Sequence, residues 1–186
     1  MNPLKTVFLD RDGVINQDSP TYIKSWAEFH FIPGSLDAIA RLTRNGCSVI
    51  VITNQSAINR GMIPMPDLED IHRRMHQAVL DRGGRITDIF FCPHRPDERC
   101  DCRKPKPGLI LTARERYGID LVHAVMVGDS VKDILAGKAA GCGQTVLVET
   151  GNGTTAIQSL KETGRMPDHV AANLDRAAGW ILDQQE

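Results

Sequence analysis

Val7-Phe8-Leu9-Asp10-Arg11-Asp12-Gly13 runs three apolar residues straight into two carboxylates one residue apart, then a glycine. Side chains alternate along an extended backbone, so a strand ending in Asp-x-Asp sets Asp10 and Asp12 on the same side. Two carboxylates that close repel each other unless a cation or a shared proton compensates. The apolar run predicts a buried strand, which places the acidic pair where ligands meet a sheet. Gly13 lets the chain turn away without a side chain in the cleft. The same residues also suit a plain strand end that caps a turn, and the rest of the chain has to decide between the two.

Downstream, apolar positions alternate between strand-like runs and helical spacing. Leu36, Ile39, Ala40 and Thr43 mark one face of a helix from about Ser35 to Asn45, with Gly46 as its stop. Ser48-Val-Ile-Val-Ile-Thr53 is a continuous β-branched run, as in a strand covered on both faces. Leu68, Ile71, Met75 and Val79 give a second amphipathic helix, introduced by Pro66 and closed by Gly83-Gly84. Further strands are expected at Asp88–Cys92, Ala124–Gly128 and Gln144–Val148. Helices are expected from about Gly108 to Tyr117 and from Val131 to Ala140, and a helical patch near Ile157 to Lys161. A short extended piece at His169–Ala171 and a last helix to about Gln184 complete the chain. This alternation predicts an α/β fold, a Rossmann-like parallel sheet with helices on both faces. Ligands of such sheets bind beyond the carboxyl ends of the strands. Asp10 ends the first strand, Thr53 the second and Asp129 follows the fourth, while the loop after the third carries Arg103-Lys104. Strong polar chemistry therefore collects on one edge.

The bulk properties bound the function. With 186 residues, 41% hydrophobic and 24% charged, the chain reads as one domain spanning 1–186, long enough for a full core. A formal charge of −1 argues against nucleic acid as a partner. No apolar run approaches the ~20 residues of a membrane span, and Met1 to Lys5 is too short for a signal peptide. The five cysteines are an odd number, three of them clustered with a histidine, which points to metal in a reducing, cytoplasmic setting. No interface-like apolar stripe stands out, so a monomer is expected.

The chain resembles the haloacid dehalogenase-like phosphatases. Their four motifs are read here, in order, as Asp10-Arg-Asp12-Gly13, Thr53-Asn54-Gln55, Lys104, and Gly128-Asp129-Ser-Val-Lys-Asp133. The resemblance implies that Asp10 attacks phosphorus and forms an aspartyl-phosphate. It implies that Asp12 protonates the leaving alkoxide and later deprotonates water. Asp12 is then expected to arrive protonated, which a carboxylate neighbour favours. Mg2+ would be held by Asp10, the backbone carbonyl of Asp12, and Asp129, hard oxygens that suit this ion. Thr53 and Lys104 would hold the phosphoryl oxygens. Asp133 would bind a metal water or orient Lys104, and also suits a plain first-turn helix acid.

Cys92-Pro-His94 and Cys100-Asp-Cys102 form C-x-H-x5-C-x-C. Four such ligands in one loop suit a closed, tetrahedral, structural Zn2+ site. Arg103-Lys104-Pro105 begins right after the last ligand, so this zinc-binding loop would aim two cations at the phosphate. Cys47 and Cys142 fall outside the cluster and read as core.

Only about twenty residues separate Gly13 from Pro33, so no large cap domain is expected and the site is shaped by short loops. Within the family, the metal clip beside Arg-Lys-Pro-x-Pro-Gly, with Thr-Asn-Gln-Ser, most resembles members that act on a heptose bisphosphate. Members acting on histidinol phosphate share nearly the same set. The resemblance makes Asn54, Gln55, Arg103, Asp18 and Tyr22 contacts to a sugar phosphate or its distal phosphate, Arg103 through its guanidinium fork. One position departs: some members place a basic residue after the fourth-motif Asp, where this chain has Ser130. Two rivals stay open, a phosphatase of a nucleic-acid 3′ end and a non-catalytic zinc-containing binding module.

Overall fold

The structure, a computed structural model, describes residues 5–184, so the stretch Met1–Leu4 read against a signal peptide lies outside the described residues. Six strands form one parallel sheet: β1 (Thr6–Leu9), β2 (Ser48–Asn54), β3 (Asp88–Cys92), β4 (Ala124–Gly128), β5 (Gln144–Val148) and β6 (His169–Ala171). Their spatial order is β3-β2-β1-β4-β5-β6. The chain builds outward from β1 to β3 on one side, then crosses back to β4 on the other flank of β1. A sheet of this topology has its crevice where the order reverses, between the carboxyl ends of β1 and β4.

Alternation along the strands explains why both faces are covered. Val7, Leu9, Val49, Val51, Val125 and Val127 point to one face, packed with α1 (Ser35–Arg44), α2 (Met65–Asp81) and α6 (Leu174–Asp183). Phe8, Ile50, Ile52 and Met126 point to the other, against α3 (Gly108–Tyr117) and α4 (Val131–Ala140). Ile134 of α4 and Leu147 of β5 complete that face with α5 (Gly153–Glu162). At ~25 cal/mol per Å2 of apolar area removed from water, these two cores are the main favourable term in folding.

Most element boundaries match the expectations. Two differ for local reasons. Helix α2 starts at Met65, one residue before Pro66, because proline is tolerated in a first turn whose N–H has no intrahelical partner. Helix α5 begins at Gly153, well before Ile157: its first turn, Gly-Thr-Thr, has weak helix propensity and hides the start. Between Gly13 and Gly34 there is one short 3-10 turn at Trp26–Glu28 and isolated bridges pairing Asn16 with Asp12 and Phe31, so no inserted cap covers the site. Among the described residues, no helix is long and apolar enough to cross a membrane.

Candidate active site

The crevice between β1 and β4 holds the expected residues. Asp10, Asp12, Thr53, Asn54, Gln55, Arg103, Lys104 and Asp129 line one cavity of about 310 Å3, together with Asp18 and Tyr22. A larger, shallower cavity of about 560 Å3 lies alongside, between Gln17–Pro20 and Thr150–Asn152, and shares Asp18, Pro20 and Asn152 with it.

Asp10 follows the last residue of β1, and its backbone N–H donates to Val127 O of β4 (3.0 Å), which seats it at the switch point. Its Oδ1 accepts the Arg11 N–H (2.7 Å) and pairs with Lys104 Nζ (2.8 Å). Lys104 also pairs with Asp133 Oδ1 (2.6 Å) and donates to Ile52 O at the end of β2 (2.8 Å). Burial pulls the ammonium down, but the charges of Asp10 and Asp133 outweigh it and hold Lys104 above its ordinary value. Burial, and then the neighbouring Asp133, push the Asp10 carboxyl well above the carboxylate range, against the pull of Lys104. The same two causes raise Asp129 to about 6.

Asp129 is gripped from the loop after β5. Asn152 donates to its Oδ2 from the backbone N–H (2.7 Å) and from Nδ2 (3.1 Å), and Nδ2 also reaches Asp18 Oδ2 (3.1 Å). Gly13 (φ +84°) and Gly151 (φ +57°) pack directly on the same carboxylate; a Cβ on either would lie 2.2 Å from Asp129 Oδ2. Helix α4 is capped by Ser130, whose N–H (3.0 Å) and Oγ (2.6 Å) donate to Asp133 Oδ2. Asp133 therefore both caps α4 and pairs with Lys104.

Ligand oxygens of Asp10, Asp129 and Asp133 lie within 4.8 Å of one another. Burial and mutual repulsion raise Asp10 and Asp129, and a divalent cation among the three carboxylates would offset that repulsion and hold them ionised. The oxygen-only donor set suits a hard ion such as Mg2+.

Asp12 corrects one expectation. Its Oδ1 accepts from Arg11 Nη2 (2.8 Å), Arg11 Nε (3.2 Å) and Asn16 Nδ2 (2.9 Å), and its Oδ2 from Gln55 Nε2 (2.8 Å). Burial alone would raise the carboxyl, but the Arg11 charge and these donors hold it below the usual carboxylate range. Asp12 thus rests ionised, not protonated: its neighbours are the Arg11 charge and hydrogen-bond donors.

Of the residues read as substrate contacts, Gln55, Asn54 and Arg103 make hydrogen bonds within the protein while they line the cavity. Gln55 is buried and also donates to Thr53 Oγ1 (2.9 Å). Asn54 accepts from Lys104 N (3.1 Å) and donates to Lys104 O (3.2 Å), clasping that peptide to the end of β2. Tyr22 sits at φ +65° and packs on the cluster of Ala57, Ile63 and Leu68. Arg103 donates to His94 O (3.1 Å) while it lines the rim.

The loop that carries Lys104 holds the second donor cluster. Cys92 Sγ lies 3.5 Å from His94 Nδ1, 3.6 Å from Cys100 Sγ and 3.2 Å from Cys102 Sγ. Cys102 Sγ lies 3.2 Å from His94 Nδ1 and 3.5 Å from Cys100 Sγ. All four cysteine and histidine donors lie within 4.8 Å of one another, and the thiols are free. Sulfurs bound to a tetrahedral Zn2+ at ~2.3 Å sit about 3.8 Å apart, so the spacing approaches that of a tetrahedron, while a disulfide at ~2.05 Å is excluded.

Sequence reasoning missed Lys132 and Asn152. Lys132 lines the cavity from the first turn of α4, two residues beyond Ser130, which restores a cation near the position where the motif lacked one. A cation there opposes the helix dipole, and that anomaly was a usable signal. Asn152 follows β5, and the edge rule applied to the other strand ends would have found it.

The HAD-hydrolase-like family model matches residues 101–177. A D-glycero-beta-D-manno-heptose-1,7-bisphosphate 7-phosphatase from Pseudomonas putida is 48% identical over 170 residues, covering 91% of this chain and 97% of that protein. The enzyme of the same name from Bordetella bronchiseptica is 46% identical, covering 91% and 95%. A crystal structure of D,D-heptose 1,7-bisphosphate phosphatase from B. bronchiseptica, complexed with magnesium and phosphate, superposes with a TM-score of 0.89 at 43% identity, covering 96% of this chain and 98% of that one. The rival reading of a non-catalytic module falls here, since all four motif positions are filled and converge on one cavity. The chain belongs to the haloacid dehalogenase-like phosphatases, and with them it is a phosphoric monoester hydrolase.

Proposed function

We propose that this protein removes the 7-phosphate of D-glycero-D-manno-heptose 1,7-bisphosphate, with Mg2+, through an aspartyl-phosphate on Asp10. The observation that carries the reading is the meeting of Asp10, Asp12, Thr53, Lys104 and Asp129 around one cavity at the switch point of the sheet. Relatives of nearly full-length similarity that bear the name of this activity support the choice of substrate.

In this mechanism the Asp10 carboxylate attacks phosphorus as the bond to the C7 oxygen breaks. Lys104 and the Thr53 hydroxyl hold the phosphoryl oxygens as charge redistributes over them. Asp12 gives a proton to the departing C7 oxygen. Because Asp12 rests ionised, that proton is taken up from solvent as the substrate enters, the incoming phosphate dianion raising the proton affinity of the carboxyl as a like charge does. Asp12 then takes a proton from water as the water attacks the phosphorus of the aspartyl-phosphate, releasing inorganic phosphate and free Asp10. Mg2+ bound by Asp10, the Asp12 carbonyl and Asp129 supplies charge neutralisation at the phosphate. Zn2+ held by Cys92, His94, Cys100 and Cys102 stabilises the loop that delivers Lys104.

The distal phosphate is assigned to Arg103 and Lys132, which line both the active cavity and an adjoining one of about 270 Å3 with Arg95, Arg99 and Lys106. Asp18 and Asn152 face the sugar on the opposite side. The near-neutral charge fits a small-molecule substrate and a monomer working without nucleic acid. Thiols grouped with His94 as metal donors rather than paired as disulfides fit the cytoplasm, and the product fits the supply of nucleotide-activated heptose for lipopolysaccharide core. A panel of phosphorylated sugars and histidinol phosphate assayed with Mg2+ tests the reading. Turnover of the heptose bisphosphate is expected to exceed that of histidinol phosphate by orders of magnitude; equal rates or the reverse order would remove it.

A further inference from the structure

Behind the general acid–base lies a buried chain that the phosphatase motifs do not include. Arg11, between the two aspartates, is fully buried. Its guanidinium has three surroundings. Nε and Nη2 face Asp12 Oδ1. The Phe29 ring lies 5.9 Å from Cζ. Nη1 lies 3.3 Å from His72 Nε2. His72 sits in the middle of the apolar face of α2, among Leu68, Ile71 and Met75, with Phe91 edge-on at 5.8 Å. It does not line the active cavity.

Donors and acceptors fix the chemistry of this pair. A guanidinium carries only donors and stays charged. Nη1 therefore needs an acceptor, and His72 Nε2 accepts only when the ring is neutral with its proton on Nδ1. Burial, and then the Arg11 charge, push His72 down to about 3, consistent with a neutral ring. An unpaired guanidinium donor in this core would be free to swing toward another acceptor, and the edge that clamps Asp12 would swing with it.

We propose that His72 is a positioning residue: through Arg11 it holds the Asp12 carboxylate in the orientation from which it exchanges protons with the leaving oxygen and with water. The inference rests on the role assigned to Asp12. It explains why a polar ring occupies the apolar face of a helix with no contact to the cavity.

A Gln and an Asn variant test it without a cavity in the core, since the Gln amide places its acceptor near the Nε2 position and the Asn amide only near Nδ1. His72→Gln is expected to keep kcat on the sugar phosphate within about threefold of the parent. His72→Asn is expected to lose about 10–100-fold in kcat, part of the ~100–10,000-fold that a positioned acid–base contributes, with KM within about twofold. With p-nitrophenyl phosphate, whose leaving group needs no proton, the first burst of nitrophenolate should keep its rate in His72→Asn while the steady state slows. Equal kcat in the two variants, or a burst that slows in step with turnover, would overturn the proposal, the latter pointing to general structural damage. Asp12→Asn separates the two levels. If it leaves sugar-phosphate turnover intact, the role of Asp12 fails; if it abolishes turnover while His72→Asn does not slow it, only the role of His72 fails.

Discussion

Replacing Lys104 with methionine removes the ammonium that sits 2.8 Å from Asp10 and 2.6 Å from Asp133, and leaves both carboxylates where they are. The lysine and Asp133 side chains are 3% and 1% exposed, so water cannot take over the lost role. Removing one partner of a buried ion pair costs about 3–5 kcal/mol, because the remaining charge is uncompensated. At ~2–4 °C per kcal/mol for a chain of this size, Tm in magnesium-free buffer should fall by about 6–20 °C. Asp129 belongs to the same carboxylate cluster, so the variant leaves a divalent cation as its main neutralising partner. A ligand at 100 times its Kd stabilises by about 2.7 kcal/mol, and the tighter electrostatic site should make the Mg2+-dependent gain in Tm larger in the variant than in the parent. Turnover should fall about 100–1,000-fold, as for removal of one donor to a developing oxyanion. Thermal unfolding with and without Mg2+, alongside steady-state rates, reads all three effects. A Tm within about 2 °C of the parent without Mg2+, or a smaller Mg2+ response in the variant, would refute the charge balance argued for the site.

Cys100→Ser or Cys102→Ser should lower bound zinc, read by elemental analysis, and phosphatase rate together; loss of zinc with unchanged turnover would show that the clip does not position Lys104. Gly13→Ala forces a Cβ into Asp129 at a backbone angle that costs an L-residue about 1–2 kcal/mol; calorimetric titration should show weaker Mg2+ binding, and parental affinity would contradict the packing described. His72, facing the Arg11 and Asp12 charges, has its native pKa depressed to about 3, below an unfolded value near 6.5. The unfolded chain therefore binds the extra proton between those values, and stability falls as pH drops through that window by about 1.4 kcal/mol per unit. Relative to His72→Gln, urea unfolding should show the parent losing about 2 kcal/mol more between pH 7 and pH 5; parallel pH dependences would mean the ring is not neutral and buried.

What could be read in advance followed from periodicity. Helices such as Ser35–Arg44 show a clean apolar face with a Gly beyond the end, strands such as Ala124–Gly128 a continuous apolar run, and the edge rule for parallel sheets then placed Asp10, Thr53 and Asp129 together. The grouping of Cys92, His94, Cys100 and Cys102 was legible because the four side chains are local in sequence. The ionised state of Asp12 was not legible, because it depends on which way the neighbouring Arg11 and Asn16 side chains turn and on Gln55, brought in from beyond the end of β2. The inward hydrogen bonds of Asn54 and Gln55, to Lys104, Thr53 and Asp12, could not be read from the sequence because tertiary packing makes them, while both residues line the cavity as expected.

The central claim is that Asp10 becomes phosphorylated during turnover. Acid quenching of the enzyme in mid-turnover, followed by mass mapping of the peptide around residues 7–14, tests it most directly. Phosphate on Asp10 in the parent, and none in Asp10→Asn, is the result this account predicts. An enzyme that turns over at its normal rate with no phosphate on that peptide, or with phosphate localised to Asp12, would contradict it.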